Sequence, residues 1–404
     1  MPAGGQGCPR SRRARFCIAR PLPKRYVAGT IIAMANSDQL VENIPLGERL
    51  RARIQHEGPI SFRDWMQAAL YDERDGYYSR ADLVRQGRAG DYRTAPETSP
   101  LFAATFARYF SRLFAELDSP SSWTIFEAGA GSGEFAYGVL AALQNHHPGI
   151  FKATNYVIDE VGCDAREHAA ARLSAFTKSV SFQRFSEVEK PVGIGIVFSN
   201  ELIDALPVHR VTMRAGKLVE LCVGLNQNDF AWVECDPDQS VQDYCIRIGF
   251  QLAEGQIAEV NLNAQDFLSR AAQLLESGFV ITVDYGAERD ELLNAPHRIE
   301  GTLRAFQRHR LVADLLANPG AQDLTTTVDW KQIRDGGALV GLETLRHEQL
   351  DKFLLAEGLL DELEMMTSGL SDLDALRLRT SAREMIMPHG LAASFQVLIQ
   401  EKRP

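Results

Sequence analysis

The run from Glu127 to Phe135, EAGAGSGEF, carries the residue types and spacing most suggestive of chemistry in this sequence. An apolar segment typical of a β-strand precedes the run, and a helix-like apolar pattern follows it. Glycines at Gly129, Gly131 and Gly133 permit positive φ and let a ligand approach the backbone, while the first N–H groups of the following helix point into the turn. This pattern predicts a nucleotide-type pocket.

The glycine turn differs from the two common phosphate-binding patterns. Its spacing is not G-x-G-x-x-G, and Glu134 and Phe135 stand where a P-loop has lysine and a hydroxyl residue. With no phosphate-binding cation and an acid at Glu127, the turn suits a neutral or cationic nucleoside. S-adenosylmethionine, which carries an ammonium and a sulfonium, is such a ligand, and Glu127 would hold an amino group or structure the loop. An NAD-type site and a plain tight turn are the alternatives.

Two acids near the end of the next predicted strand are candidates for binding a ribose. Glu160 lies 27 residues past the last glycine of the turn, where a carboxylate can accept hydrogen bonds from both ribose hydroxyls. Asp164 is the competing candidate, although it could instead cap the helix that starts there. Asp159 alternates to the other face and is predicted to be a surface charge.

A second polar group, Asn200, Glu201 and Asp204, follows a later predicted strand within FSNELIDALPVH. Methyl transfer from a sulfonium is an in-line displacement that depends on positioning, and carboxylates can orient a guanidinium by paired hydrogen bonds. The group is therefore predicted to be catalytic; the alternative is an N-cap and solvated first turn. The run Asp284-Tyr285-Gly286 closes another predicted strand and would either line the pocket or form a turn.

The elements that position these residues alternate between strand and helix patterns, which predicts an α/β fold with a parallel sheet and ligands at the carboxyl ends of its strands. Residues 46–70 and 101–117 have helical patterns, and residues 208–234 alternate like an antiparallel insertion. Predicted strands of the sheet and tail are 124–128, 156–161, 180–185, 194–199, 279–285 and 394–402. Residues 72–100 show no periodicity, and GDYRTAPETS at 90–99 is either a surface loop or a lid that excludes water.

Composition excludes several classes of function. The chain has 404 residues, 45% of them hydrophobic, but no apolar run near the ~20 residues of a membrane span. The six cysteines form no C-x-x-C pair and the nine histidines have no metal-ligand spacing. Neither a disulfide framework nor a metal site is therefore expected, and the cysteine pattern predicts a reducing compartment. The formal net charge of −10 argues against nucleic acid as the partner and is compatible with a basic protein segment.

The charge is unevenly distributed. Residues 1–33 contain seven basic side chains and no acid, so removing them from the net charge of −10 leaves −17. Such a leader is either a mitochondrial transit peptide or an over-extended start, since Met34 opens a plausible natural beginning. The predicted location is accordingly a bacterial cytoplasm, or the mitochondrial matrix if the leader is a transit peptide.

Several segments together resemble one family, the MidA-type methyltransferases, which includes mitochondrial complex I assembly arginine methyltransferases and bacterial relatives. The resemblance covers most of residues 45–335 and is carried by GPISFRDWMQAALYDERDGYYS, GDYRTAPETSPLF, EAGAGSGEF, SNELIDALPVHR, VDYG, GTLRAFQRHR and PGAQDLTTTVDW. It implies a class I, Rossmann-like S-adenosylmethionine-dependent methyltransferase sheet with an N-terminal helical region and antiparallel and helical insertions. The implied organisation is a helical and lid region at 34–120 and a methyltransferase domain at 121–404, with insertions at about 208–260 and 287–386.

The resemblance also implies an activity, symmetric dimethylation of an arginine in a respiratory complex I subunit. A small-molecule or other protein N-methyltransferase and a non-catalytic donor-binding assembly chaperone are the alternatives. By position, Gly90 and the glycine turn belong to the donor site, Glu160 matches the family's acid, and the Asn200 group faces the acceptor. The chain departs from the family at Ala130, which replaces a proline, and at Ala313-Asp314-Leu315 and HGLAASFQVL, so the identity of the acceptor stays open.

Overall fold

A computed structural model describes residues 44–80, 99–307, 310–387 and 391–404. The predicted leader, Gly90 and nearly all of the predicted lid lie outside these residues. Residues Pro45–Pro404 form one compact unit. No helix of the described residues is long and apolar enough to span a bilayer.

The described residues contain both strands and helices along their whole length. In chain order the strands are β1 (Ile60–Ser61), β2 (Trp123–Ala128), β3 (Thr154–Asp159), β4 (Val180–Phe182), β5 (Gly193–Asn200), β6 (His209–Arg214), β7 (Lys217–Asn226), β8 (Asp229–Cys235), β9 (Ile257–Val260), β10 (Leu275–Ala287), β11 (Arg304–Gln307), β12 (Arg310–Val312), β13 (Asp323–Thr325), β14 (Val328–Asp329), β15 (Leu342–Gln349) and β16 (Phe395–Lys402). The α-helices are α1 (Leu46–Glu57), α2 (Phe62–Tyr71), α3 (Pro100–Glu116), α4 (Glu134–His146), α5 (Pro148–Ala153), α6 (Cys163–Arg172), α7 (Gln239–Arg247), α8 (Leu262–Leu274), α9 (Arg289–Asn294), α10 (Trp330–Leu339), α11 (Leu350–Ala356), α12 (Leu359–Thr367) and α13 (Asp372–Ile386). Short 3₁₀ turns lie at Leu173–Phe176, Phe185–Glu187, Pro296–Arg298 and Leu391–Ser394.

The main sheet has the order β15-β16-β10-β5-β2-β3-β4, with β14 added to β10. β16 runs antiparallel to both of its neighbours, whereas the pairs between β10, β5, β2, β3 and β4 are parallel. The predicted parallel α/β sheet is therefore confirmed. The insertion of β16 between β10 and β15 was not predicted, because a local pattern indicates a strand but not its partners.

Central strands of the sheet are covered on both faces, which is why they read as nearly continuous apolar runs. In β2, Ile125 packs into one hydrophobic cluster while its neighbour Phe126 packs into another on the opposite face. On the first face, helices α3 and α4 contribute an aromatic core in which Phe135 stacks on Phe198 with ring centroids 4.2 Å apart. Helices α8 and α10 cover the second face. The two layers hold the strand ends in fixed positions.

The predicted antiparallel insertion forms a second sheet with the order β1-β7-β6-β9, to which β8 adds through β7. The helical pattern predicted across residues 46–70 is interrupted at Gly58, where φ is 89°, and α2 starts afresh after Ser61, whose side chain accepts the N–H of Asp64. Trp65 and Met66 of α2 are fully buried against residues of this sheet. This packing fixes the C-terminal end of α2, where Tyr71 lies.

The polar segment between β10 and α10 is more structured than its sequence indicated. It contains α9 and a three-stranded antiparallel sheet with the order β12-β11-β13. Ala305 of β11 and Leu324 of β13 are buried in the same hydrophobic cluster as α1 and α2. Because successive residues of a strand face opposite sides, the neighbours of these two residues are directed away from that cluster.

Candidate active site

A cavity of about 440 Å³ opens at the carboxyl ends of β2, β3, β5 and β10. This is the edge at which a parallel α/β sheet binds its ligands, and the volume lies within the usual range for a small-molecule site. Among the described residues predicted for the donor site, Glu127, Gly129, Gly131 and Glu160 line the cavity, and Gly133 does not. Asn200, Glu201 and Asp204 line it as well. The two predicted groups therefore meet in one site.

The glycine turn has the geometry that its sequence predicts. Gly129, Gly131 and Gly133 have φ values of 72°, 55° and 73°, a region that side-chain-bearing residues rarely adopt. A Cβ on Gly129 would lie 3.0 Å from Leu202 Cδ1, and one on Gly133 would lie 3.0 Å from Ala169 Cβ. The N–H of Ala130, which a proline would lack, donates to the carbonyl of Asp159 at 3.1 Å. The turn is thus held close to both β3 and α6.

Glu160 joins the glycine turn to the start of α6. One carboxylate oxygen accepts the N–H of Gly131 at 2.8 Å, and the other accepts the N–H of Gly162 at 2.7 Å. Asp164 lies in the first turn of α6, 3.5 Å from His168, and does not line the cavity. The N-cap of α6 is Gly162, so the interpretation of Asp164 as the cap is wrong. Of the two candidates for ribose binding, the cavity contains Glu160.

Asp159 corrects one prediction. Its side chain is 14% exposed, pairs with Arg184 at 3.1 Å and lies at the cavity wall, so it is not a surface charge. The glycine turn folds back over the end of β3, and the carbonyl of Asp159 accepts the N–H of Gly129 at 2.9 Å. Strand alternation alone could not indicate this, because the covering turn comes from another strand.

Glu127 is buried in β2 at the inner end of the cavity. Its carboxyl group accepts the hydroxyl of Tyr156 at 2.7 Å. Burial raises the pKa of Glu127 to about 8, the Tyr156 hydrogen bond opposes that rise, and the charge of Glu160 adds to it. Glu127 is consequently mostly protonated at neutral pH, and its observed contact is with the neighbouring strand.

The Asn200 group takes a strained turn and not the start of a helix, so the N-cap alternative is wrong. Glu201 has φ 52°, and its N–H donates to the carbonyl of Val283 in β10 at 2.9 Å. The side-chain amide of Asn200 donates to Glu201 Oε1 at 3.1 Å. A non-glycine residue in this conformation costs about 1–2 kcal/mol. The pairing of β5 with β10 holds Glu201 in the conformation despite that cost.

Asp204 and Asp284 form a buried acidic pair beside this turn. Asp284 Oδ2 accepts the backbone N–H groups of Ile203 at 3.0 Å and Asp204 at 3.3 Å. Burial raises the pKa of Asp204 to about 6, against the opposing effects of the Tyr285 hydroxyl and the Arg304 charge. Burial, followed by the charges of Asp204 and Glu201, raises the pKa of Asp284 far above its usual range. Of the two carboxyl groups, Asp284 is therefore the one whose surroundings favour the protonated form more strongly.

Other side chains complete the cavity but were not predicted as site residues. The Tyr71 hydroxyl donates to the carbonyl of Ala205 at 3.0 Å, and the Tyr78 hydroxyl donates to Asp323 Oδ1 at 2.8 Å. The guanidinium of Arg304 lies 5.1 Å from the centre of the Tyr285 ring. These residues come from α2, the turn after it, β11 and β13, far from the glycine turn in sequence. The signal available was their presence in the segments AALYDERDGYYS, GTLRAF and DLTTT that carry the family resemblance.

The strand order, with its antiparallel β16, and the cavity over the glycine turn define a class I S-adenosylmethionine-dependent methyltransferase. The chain belongs to the Methyltransf_28 family, which is described as one of S-adenosyl-L-methionine-dependent methyltransferases and whose profile matches residues 105–347. The MidA-type resemblance, the class I fold and the enzyme class predicted from sequence are confirmed.

Similar proteins span most of the chain. The protein arginine methyltransferase NDUFAF7 homolog of Drosophila melanogaster, a mitochondrial protein, is 26% identical over 393 residues, covering 86% of each chain. The NDUFAF7 of Mus musculus is 26% identical and covers 79% of this chain and 76% of its own. A crystal structure from Burkholderia thailandensis bound to S-adenosyl-homocysteine is 27% identical, has a TM-score of 0.77 and covers 95% of each chain.

S-adenosylmethionine is the cofactor of this enzyme, as predicted. The described residues fit it: the positive-φ glycines leave space against the backbone that a Cβ would fill, and the buried carboxylate of Glu160 lies at the cavity wall. Within the described residues, no cluster of three or more His, Cys, Asp or Glu could hold a metal ion.

Proposed function

We propose that the protein transfers methyl groups from S-adenosylmethionine to a protein arginine and forms symmetric dimethylarginine. The observation that carries this proposal is the cavity in which the glycine turn faces Glu201, Asp204 and Tyr285. Among the described residues that line it, seven are acidic, of which Glu127 is mostly protonated at neutral pH, and Arg304 is the one basic residue. Such a wall attracts a cation, and a planar guanidinium can use several of its acceptors at once. The names of the similar proteins support arginine as the acceptor.

In this proposal the donor site comprises Glu127, Glu160, the three glycines of the turn and Gly90. The bound cofactor supplies a methyl group on a sulfonium sulfur. Glu160 orders the turn through two backbone N–H groups and accepts from a ribose hydroxyl with its remaining lone pairs. Gly90 and the lid are assigned by sequence alone.

The acceptor side comprises Asn200, Glu201 and Asp204, of which Glu201 is the proposed guanidinium ligand. The acceptor itself is expected to be a core subunit of respiratory complex I, by family resemblance. The acidic balance of the chain is consistent with a basic protein segment as substrate. We expect the protein to be located in the bacterial cytoplasm or, if residues 1–33 are a transit peptide, in the mitochondrial matrix.

The test is mass spectrometry of cell proteins before and after deletion of the gene, with re-expression of wild type or of Glu201→Gln. Loss of one arginine dimethylation site, restored by wild type and not by Glu201→Gln, is the expected result. Purified Glu201→Gln should still bind S-adenosylmethionine. Restoration of the dimethylated site by Glu201→Gln would contradict a catalytic Glu201, and an unchanged set of dimethylated arginines would contradict arginine as the acceptor.

A further inference from the structure

The family resemblance places Asp204 on the acceptor side, and its surroundings point to a more specific role there. The residue is 4% exposed although it borders the cavity. Its Oδ2 accepts the hydroxyl of Tyr285, and its Oδ1 is buried with no hydrogen-bond partner in the described part of the chain. A carboxylate so enclosed has little surface with which to contact a substrate.

Tyr285 is placed between this carboxylate and the cavity. It is less buried than Asp204 and lines the cavity beside Glu201. Because its hydroxyl donates its proton to Asp204, the lone pairs of Oη remain as acceptors. The Arg304 guanidinium lies 5.1 Å from the centre of its ring, and a cation there stabilises the negative charge that develops on Oη when the Tyr285 proton moves to Asp204.

We propose that Tyr285 is a catalytic residue which accepts an N–H of the acceptor nitrogen, and that Asp204 is a positioning residue which acts through it. This inference rests on the proposed function for the identity of the acceptor. As the acceptor nitrogen bonds to the methyl carbon, the carbon–sulfur bond breaks and its electron pair stays on sulfur. The nitrogen proton passes to Tyr285 Oη, and the Tyr285 proton passes to Asp204.

The state of Asp204 suits this transfer. Its pKa of about 6 leaves the carboxylate ionised at neutral pH but basic enough to take a proton. Asp284 holds the Asp204 backbone in place by accepting the N–H groups of Ile203 and Asp204. Two further charged groups act on these acids: Glu201 acts on Asp284, and Arg304 acts on Asp204.

The test measures binding of methylguanidine to the full-length protein in complex with S-adenosylhomocysteine, by calorimetry. Tyr285→Phe keeps the ring but removes Oη, and Asp204→Asn removes the carboxylate while keeping the shape. We expect each variant to bind methylguanidine about tenfold more weakly, with unchanged S-adenosylhomocysteine affinity. The double variant should be no weaker than either single one, because the two side chains act as one unit. Tyr244→Phe, which removes a buried hydroxyl 3.4 Å from Arg289, is the matched control and should bind as wild type.

A second measurement covers variants that fail to fold. In the wild-type complex, the ¹³Cζ resonance of Tyr285 should shift on addition of methylguanidine. An unmoved resonance despite binding, wild-type affinity in Tyr285→Phe, or multiplicative losses in the double variant would each overturn the proposal. If methylguanidine does not bind but propylamine does, arginine is the wrong acceptor, and the same variants with propylamine then decide the role of Tyr285.

Discussion

The carboxylate of Glu160 accepts the backbone N–H of Gly131 at 2.8 Å, so an acid after β3 fixes the glycine turn that follows β2. The second oxygen of Glu160 binds the N–H of Gly162 in the same way. One side chain therefore shapes the turn and also lies at the wall of the cavity. Because Asp164 has no such contacts with the turn, substitution of each acid can show which of the two binds the ribose.

Glu160→Gln should weaken S-adenosylmethionine binding at least tenfold, because an amide cannot accept both N–H groups and a ribose hydroxyl. Asp164→Asn is the matched control, since Asp164 does not line the cavity, and its affinity should stay within twofold of wild type. Calorimetric titration measures both. The reverse order of affinities would assign the ribose to Asp164.

Glu201→Asn should increase stability by up to about 1 kcal/mol, because asparagine tolerates positive φ better than glutamate. Methyl transfer should nevertheless be lost, since the carboxylate is gone. Gln227→Asn, at φ 57° in the turn between β7 and β8, relieves the same strain away from the cavity. Thermal unfolding and transfer assays should show a gain of stability in both variants and loss of activity in the first alone. Full activity in Glu201→Asn would show that the carboxylate is dispensable.

The buried carboxyl group of Glu127 makes stability depend on pH. Its folded pKa of about 8 lies above the ordinary value of 4.5, so its contribution is fully present below pH 4.5 and is lost as pH rises through about 8. Glu127→Gln removes the titration, and its stability relative to wild type should therefore rise between pH 5 and pH 9. Urea unfolding across that range measures the effect, at most about 1.4 kcal/mol per pH unit. Parallel pH profiles of the two proteins would show that Glu127 is ionised throughout.

Gly133→Ala should destabilise the protein by more than Gly216→Ala. Both glycines have nearly the same φ, 73° and 74°, but only at Gly133 would a Cβ meet another atom, Ala169 Cβ at 3.0 Å. Gly216→Ala is the control, because it introduces only the backbone strain of about 1 kcal/mol. The additional loss of stability in Gly133→Ala measures the crowding between the turn and α6. Chemical denaturation of both variants gives that difference. Equal losses would mean that α6 moves aside without cost.

The sequence predicted what depends on local pattern and missed what depends on distant contacts. Strands β2, β3 and β5 were recognisable from their apolar runs, and Glu160 from its distance to the glycines. Asp159 was misassigned because the turn that covers it belongs to another strand. Tyr71 and Arg304 reach the cavity only through the packing of α1, α2, β11 and β13 into one cluster, which no local periodicity encodes.

The position of β16 between β10 and β15 has a consequence for biosynthesis. Residues 395–402 form β16, which lies inside the sheet between β15 and β10. The ribosome synthesises β10 more than a hundred residues before β16. While the ribosome still holds this segment, β10 and β15 have unpaired edges facing one another, and such edges invite association with other chains. The nascent enzyme therefore has to wait for β16 before the sheet can close, and chaperone assistance during that interval would protect it.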